Sequence, residues 1–267
     1  MKKLMIAATA ALCATVGFSL ESANIVGYNT VTLKKGWNML CVNFQGIADE
    51  GLDIQNLFPG TTEGFTAGGI SAADQIQIYN QATADYTIYY LFDTPLTIPA
   101  LVAKKFKWVD ANGAVLSHKF KNGDTFWFNK IGDGEVNINF AGQVSQVDNQ
   151  TITIKPGWNM IGSAFPANFN PNVYDKVFWE SSGATAGGIS AADQIQIYNP
   201  NTSDYTIYYL FDTPLTIPAL TAKKYRWVDA SGAVLDSTTG VIVPGKGVWY
   251  YHQGNNEFTF PIPSPLK

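Results

Sequence analysis

Charge is what this sequence has least of. Asp, Glu, Lys and Arg together make up 14% of its 267 residues, against roughly 25% in an ordinary soluble protein. Polar work on the surface must therefore fall to Asn, Gln, Ser, Thr and Tyr. The formal net charge is −4, and no basic run is longer than a Lys pair. That balance excludes a phosphate-neutralising surface, so nucleic acid is not an expected partner. Cysteine is equally scarce, with two in the chain, Cys13 and Cys41. Cys13 falls in the leader described below, so a mature chain would hold one thiol and no internal disulfide, and packing alone must stabilise it. Cys41 is expected to be a small buried residue; Gly162 takes its place in the second half of the chain. The two histidines, His118 and His252, cannot supply a zinc set with one cysteine. They read as solvated or satisfied side chains, and no metal or other cofactor is implied.

The first residues carry an export pattern. Lys2 and Lys3 precede the apolar, Ala-rich stretch Leu4 to Phe18, too short and too early to be a spanning helix. Residues 1–23 are read as a signal peptide cut between Ser19 and Ala23. Leu12 stands where a lipoprotein signal needs a small residue, so no lipid anchor is expected. No later segment reads as a membrane span. The expected location is outside the bacterial cytoplasm: periplasm, cell surface or medium.

What the chain does contain is a duplication. Thr66 to Asn80 recurs unchanged as Thr185 to Asn199, and Asp85 to Leu101 as Asp204 to Leu220. The match runs on to Leu116 and Leu235. Each copy opens with Gly-Trp-Asn-Met (Gly36 to Met39, Gly157 to Met160) and closes with a strand around Trp127 or Trp249. Residues 24–145 and 146–267 are expected to be two copies of one module. The flanks diverge while the middle is nearly invariant. A recent local duplication explains that pattern better than constraint, because the identity extends into loop residues of no obvious chemical use.

Local chemistry reads as strands. Thr30 to Leu33, Gln75 to Tyr79 and Tyr86 to Leu91 alternate apolar and polar residues. Asn80 to Ala84 and Asn199 to Ser203 are turn-forming. Phe106 to Leu116 reads as a hairpin with Gly113 in a left-handed position. About eight short strands per copy predict an all-β fold of two tandem β-sandwich or compact barrel-like modules. Strands of five or six residues are too short for an outer-membrane barrel, which needs about 9–11. The best helix candidate is Leu52 to Phe58, ended by Pro59-Gly60. Asp93 to Ala100, apolar and holding two prolines, cannot be a central strand; it is expected to cap the core of its own module rather than form an exposed contact patch.

Ala23-Asn-Ile-Val-Gly-Tyr28, the Gly-Trp-Asn-Met turn and Phe140-Ala-Gly-Gln-Val144 resemble a large group of uncharacterised exported bacterial β-repeat proteins. Copy two departs from their pattern with Phe260-Pro-Ile-Pro263. The resemblance implies export and β architecture, and no activity.

No catalytic constellation stands out, so the chain is not expected to be an enzyme. Asp74, Asp85, Asp93 and Asp110 repeat as Asp193, Asp204, Asp212 and Asp229. A paired-carboxylate glycosidase would need two of them across a cleft, whereas carboxylates at strand ends ordinarily bind backbone amides. Ile131 to Glu135 lacks the alternating ligands of a calcium loop and reads as a turn. Trp108, Trp127, Trp227 and Trp249 are expected to anchor the cores. If one sheet face is open, Gln75, Gln77, Tyr79 and Tyr89, with Gln194, Gln196, Tyr198 and Tyr208, could form a flat aromatic and amide face suited to a glycan. The plainer reading is cross-strand pairing that stabilises the sheet by roughly 0.2–1 kcal/mol per pair. The leading functional expectation is an exported, non-catalytic structural or adhesion protein, with self-association as its contact. A carbohydrate-binding protein is the alternative, and a glycan-active enzyme the third.

Overall fold

The structure, a computed structural model, describes residues 25–46, 51–236 and 240–266; the signal peptide expected over residues 1–23 lies outside the described residues. The fold is all-β. The first half contributes β1 (Val26–Leu33), β2 (Gly36–Cys41), β3 (Leu52–Asp53), β4 (Gln75–Asn80), β5 (Asp85–Phe92), β6 (Lys107–Asp110), β7 (Lys119–Phe120), β8 (Thr125–Lys130) and β9 (Val136–Gln143). The second contributes β10 (Asn149–Ile154), β11 (Gly157–Ile161), β12 (Gln194–Asn199), β13 (Asp204–Phe211), β14 (Arg226–Asp229), β15 (Val248–His252) and β16 (Phe258–Pro263). Each half builds one five-stranded antiparallel sheet, β2-β8-β4-β5-β6 or β11-β15-β12-β13-β14, and a two-stranded ribbon, β1-β9 or β10-β16; the first half adds a short strand pair, β3-β7.

Each ribbon lies over its sheet, sandwich fashion. Period-two burial on β9 turns Val136, Ile138 and Phe140 inward, against Leu40, Ile76, Leu91, Trp108, Phe126 and Phe128 of the sheet. Phe58 is the hub of this core, with five aromatic neighbours at centroid distances from 5.3 to 6.5 Å. In the second half Trp179 takes that role, edge-on to Trp227 at 5.4 Å and beside Phe260 at 5.8 Å. Trp108 and Trp227 are core anchors as expected.

The helix expected over Leu52 to Phe58 shortens to α1 (Ile54–Leu57), because Leu52 and Asp53 pair with β7. Asp53 caps it by accepting from the Gln55 N–H at 2.8 Å. Further single turns, α2 (Pro99–Val102), α3 (Lys176–Ser181) and α4 (Pro218–Thr221), were not anticipated. Pro stands at the start of α2 and α4, where its missing N–H costs nothing. Gly113 has the positive φ (74°) that its hairpin required. Among the described residues no helix is long and apolar enough to cross a membrane.

The Asp93 to Ala100 segment does not cap a core. Leu96 is 52% and Ile98 53% exposed, and Leu215 and Ile217 in the second half are 53% and 54% exposed. The core beneath is already closed by Leu91 and Trp108, so nothing apolar is left for this segment to cover.

Candidate functional site

Register decides which side chains share a face. Asn80 pairs with Asp85 at the end of the β4-β5 hairpin, and this sets Tyr79 opposite Tyr86, Gln77 opposite Ile88, and Gln75 opposite Tyr90. Tyr89 lies opposite Ile76 and packs against the first core; Tyr208, opposite Ile195, does the same in the second. The expected set is therefore split: Tyr89 and Tyr208 turn inward, and Tyr86 and Tyr205 join the Gln and Tyr residues instead. The amides are also engaged. Gln75 donates to the Ile70 carbonyl at 2.6 Å and Gln77 donates to Gln75 at 2.9 Å, with the same bonds at Gln194 and Gln196.

The face carrying Tyr79 and Tyr198 meets the other module. Tyr79 stands edge-on to Trp249 (5.0 Å, 85°), and Tyr198 edge-on to Trp127 (5.0 Å, 86°). Such reciprocal contacts define a pseudo-twofold seam. Met39, Trp127 and Trp249 are its buried centre, with Trp37 and Met160 packed on them. Trp127 and Trp249 thus anchor the seam rather than the two cores. Their indole N–H groups donate to the Tyr86 and Tyr205 hydroxyls; burial raises both phenols, and these bonds partly offset it.

The Gly-Trp-Asn-Met motif now has a physical account. Gly36 and Gly157 take positive φ (85° and 82°) at the turn. Asn38 accepts from the Lys34 N–H at 2.9 Å and donates to the Lys34 and Gly36 carbonyls, and Asn159 repeats this on Lys155 and Gly157. Trp and Met then alternate onto the seam face.

Cys41 and Gly162, equivalent positions in the two copies, meet each other at the seam. A Cβ added to Gly162 would overlap the Cys41 Sγ and lie 2.7 Å from its Cβ. There is space for one side chain, and copy one holds it. Cys41 is fully buried, as expected, and burial pushes its thiol up to about 12. Asn43 ties the halves together, donating to the Ser163 carbonyl and accepting from the Gly245 N–H.

Two clefts open along the seam. One, about 270 Å³, is walled by Trp37, Gln77, Tyr86 and Trp127 of one module with Tyr198 and Tyr205 of the other. The second, about 300 Å³, is more polar and includes Tyr79, Gln81, His118, Asp124, Thr153 and Asn159. Burial lowers His118 and raises Asp124.

The remaining titratable groups are tied into the fold. Asp74 accepts from the Thr66 and Ile131 N–H groups at 3.0 and 2.7 Å. Asp193 accepts from the Gln253 N–H and the Tyr250 hydroxyl and lies 2.8 Å from His252 Nδ1. Burial raises both carboxyls. His252 Nε2 donates to the Asn256 carbonyl at 2.9 Å, so this histidine is fully satisfied. Asp110 and Asp229 bind the amides of their own turns. Among the described residues no cluster of three or more His, Cys, Asp or Glu is arranged to hold a metal. Compared with protein-family models, curated proteins and solved structures, the chain matches none.

Proposed function

We propose that this is an exported, non-catalytic surface protein that assembles through contacts between copies of itself. The observation that carries this reading is the duplicated apolar loop. Leu96, Ile98 and Val102 stand in water in one module, and Leu215 and Ile217 in the other. Contiguous exposed apolar side chains mark interaction surfaces. A second copy is the partner favoured by charge. Each loop carries both signs, Asp93 with Lys105 at 3.2 Å and Asp212 with Lys224 at 3.3 Å. Two such loops related by a local dyad would set each Asp against the opposing Lys. With two self-complementary loops per chain, association extends into a string instead of stopping at a dimer.

A light-scattering concentration series on the mature chain tests this. The mass is expected to grow past the dimer for the natural chain, to stop at the dimer for Leu96→Asp or Leu215→Asp alone, and to stay monomeric for the double variant. A monomer at every concentration would sink the proposal, even if cells retained it, since the loops would then serve a foreign partner.

A second reading, carbohydrate binding, is favoured by the ring-walled cleft at Trp37 and Tyr205. The rings meet edge-on rather than coplanar, so they suit one sugar ring held in a slot, not a chain laid on a flat platform.

A further inference from the structure

The closed and open halves of the seam differ at one pair of segments. In the closed half, edge strand β2 is stitched to the other module: the Cys41 N–H donates to the Gly245 carbonyl at 3.1 Å and the Gly247 N–H donates to the Met39 carbonyl at 3.2 Å. The twin segments are Gly123 to Thr125 and Met160 to Gly162. They share no such backbone bond among the described residues, and the polar cleft of about 300 Å³ lies between them. The cause is steric. Gly247 leaves room for both Thr125 and the backbone of β2: a Cβ there would overlap Thr125 Cγ2 and sit 3.0 Å from Met39 Cγ and 3.1 Å from the Leu40 carbonyl. Thr125 occupies the twin position, and its side chain stands between the modules, with Cγ2 against Gly247 and Oγ1 2.9 Å from where a Cβ on Gly162 would lie.

We propose that this gap is a binding site for one polyhydroxylated ring, such as the terminal unit of a neutral glycan. The inference rests on the carbohydrate reading above and places its hydrogen-bonding seat in a different cleft. Asp124 Oδ2 accepts from the Lys121 N–H at 2.7 Å, and Oδ1 accepts no protein bond among the described residues. Gln81 spends its N–H groups on the Trp158 carbonyl and Asn159 Oδ1, and its own side-chain carbonyl accepts no bond among the described residues. Met160, whose carbonyl is the twin of one stitched in the closed half, lines the cleft and adds an acceptor. A ligand rich in hydroxyls matches this acceptor-rich set, and Tyr79 offers an aromatic wall beside it. The volume is at the low end for small-molecule sites, roughly 300–1,000 Å³, which limits the occupant to about one ring. In the closed half Lys246 stands where Asp124 would be, so the chain carries one such site and not two.

Amide chemical-shift mapping on the mature chain, titrated with neutral glucan, xylan and mannan oligosaccharides, tests the assignment. Saturable shifts are expected at Gly123 to Thr125 and Trp158 to Gly162. Asp124→Lys, which copies the closed half, is expected to weaken binding at least tenfold; Asp124→Asn, which keeps the shape, should weaken it less. Shifts confined to Trp37, Trp127 and Tyr205 would overturn this site while leaving the carbohydrate reading intact. The absence of shifts with every oligosaccharide would overturn both.

Discussion

The two modules share a nearly identical central sequence and build sheets with the same strand order, yet they differ at several of the places where they meet. Copy one places Cys41, Asn43 and Thr125 at the seam; copy two has Gly162, Ala164 and Gly247 there. A symmetric pair would collide at Cys41 and Gly162, because the same side chain would be asked to fill one space twice. The differences show two modules fitted to one another rather than two independent beads. The edge of β2 makes the same point: an unpaired strand edge invites aggregation, and here the other module covers it through Gly245 to Gly247.

The largest effect is expected from cutting the seam itself. Trp249→Ala removes the ring against which Tyr79 and Trp158 pack, at a cost of about 3–5 kcal/mol. Calorimetry should then resolve two unfolding transitions, where the natural chain is expected to show one. A single transition, little displaced, would mean that the modules are joined by their linker and not by the seam.

A smaller effect tests the fitted asymmetry. Gly162→Ala should cost about 1–3 kcal/mol by overpacking against Cys41, and Cys41→Gly in the same chain should restore most of it. Chemical denaturation of the two variants measures this, and a loss that persists in the double variant would refute the shared-space account.

The smallest effect compares equivalent tryptophans within the cores. Trp108 Nε1 donates to the Phe58 carbonyl at 2.7 Å, whereas Trp227 Nε1 is buried with no hydrogen-bond partner among the described residues. Trp108→Phe should therefore cost about 1 kcal/mol more than Trp227→Phe. Equal losses would show that the contrast between these indoles has no energetic weight.

Much of the fold was legible because its signals are local. Alternation located β1, β4 and β5, and Gly113 marked its own turn. The two-tryptophan, two-tyrosine seam was harder to see. Tyr89 was expected beside Tyr79, but the two cannot share a face once Asn80 pairs with Asp85, since a one-residue change of register moves every side chain to the opposite side. Counting outward from that turn places Tyr86 beside Tyr79, so this part could have been found. The exposed Leu96 and Ile98 could not, because apolar character does not say whether the core below has room left. The polar cleft was beyond reach as well, since it depends on Thr125 and Gly247 holding equivalent places in two different modules.

The chain alone determined its strands, its turns and its duplication, since each is set by residues close together along the backbone. Only the tertiary structure decided which sheet faces would meet, that Trp127 and Trp249 would leave the cores for the seam, and where the seam would stay open. Those outcomes turn on how two surfaces of nearly the same sequence fit together, where one methyl group at Thr125 or one thiol at Cys41 separates contact from collision.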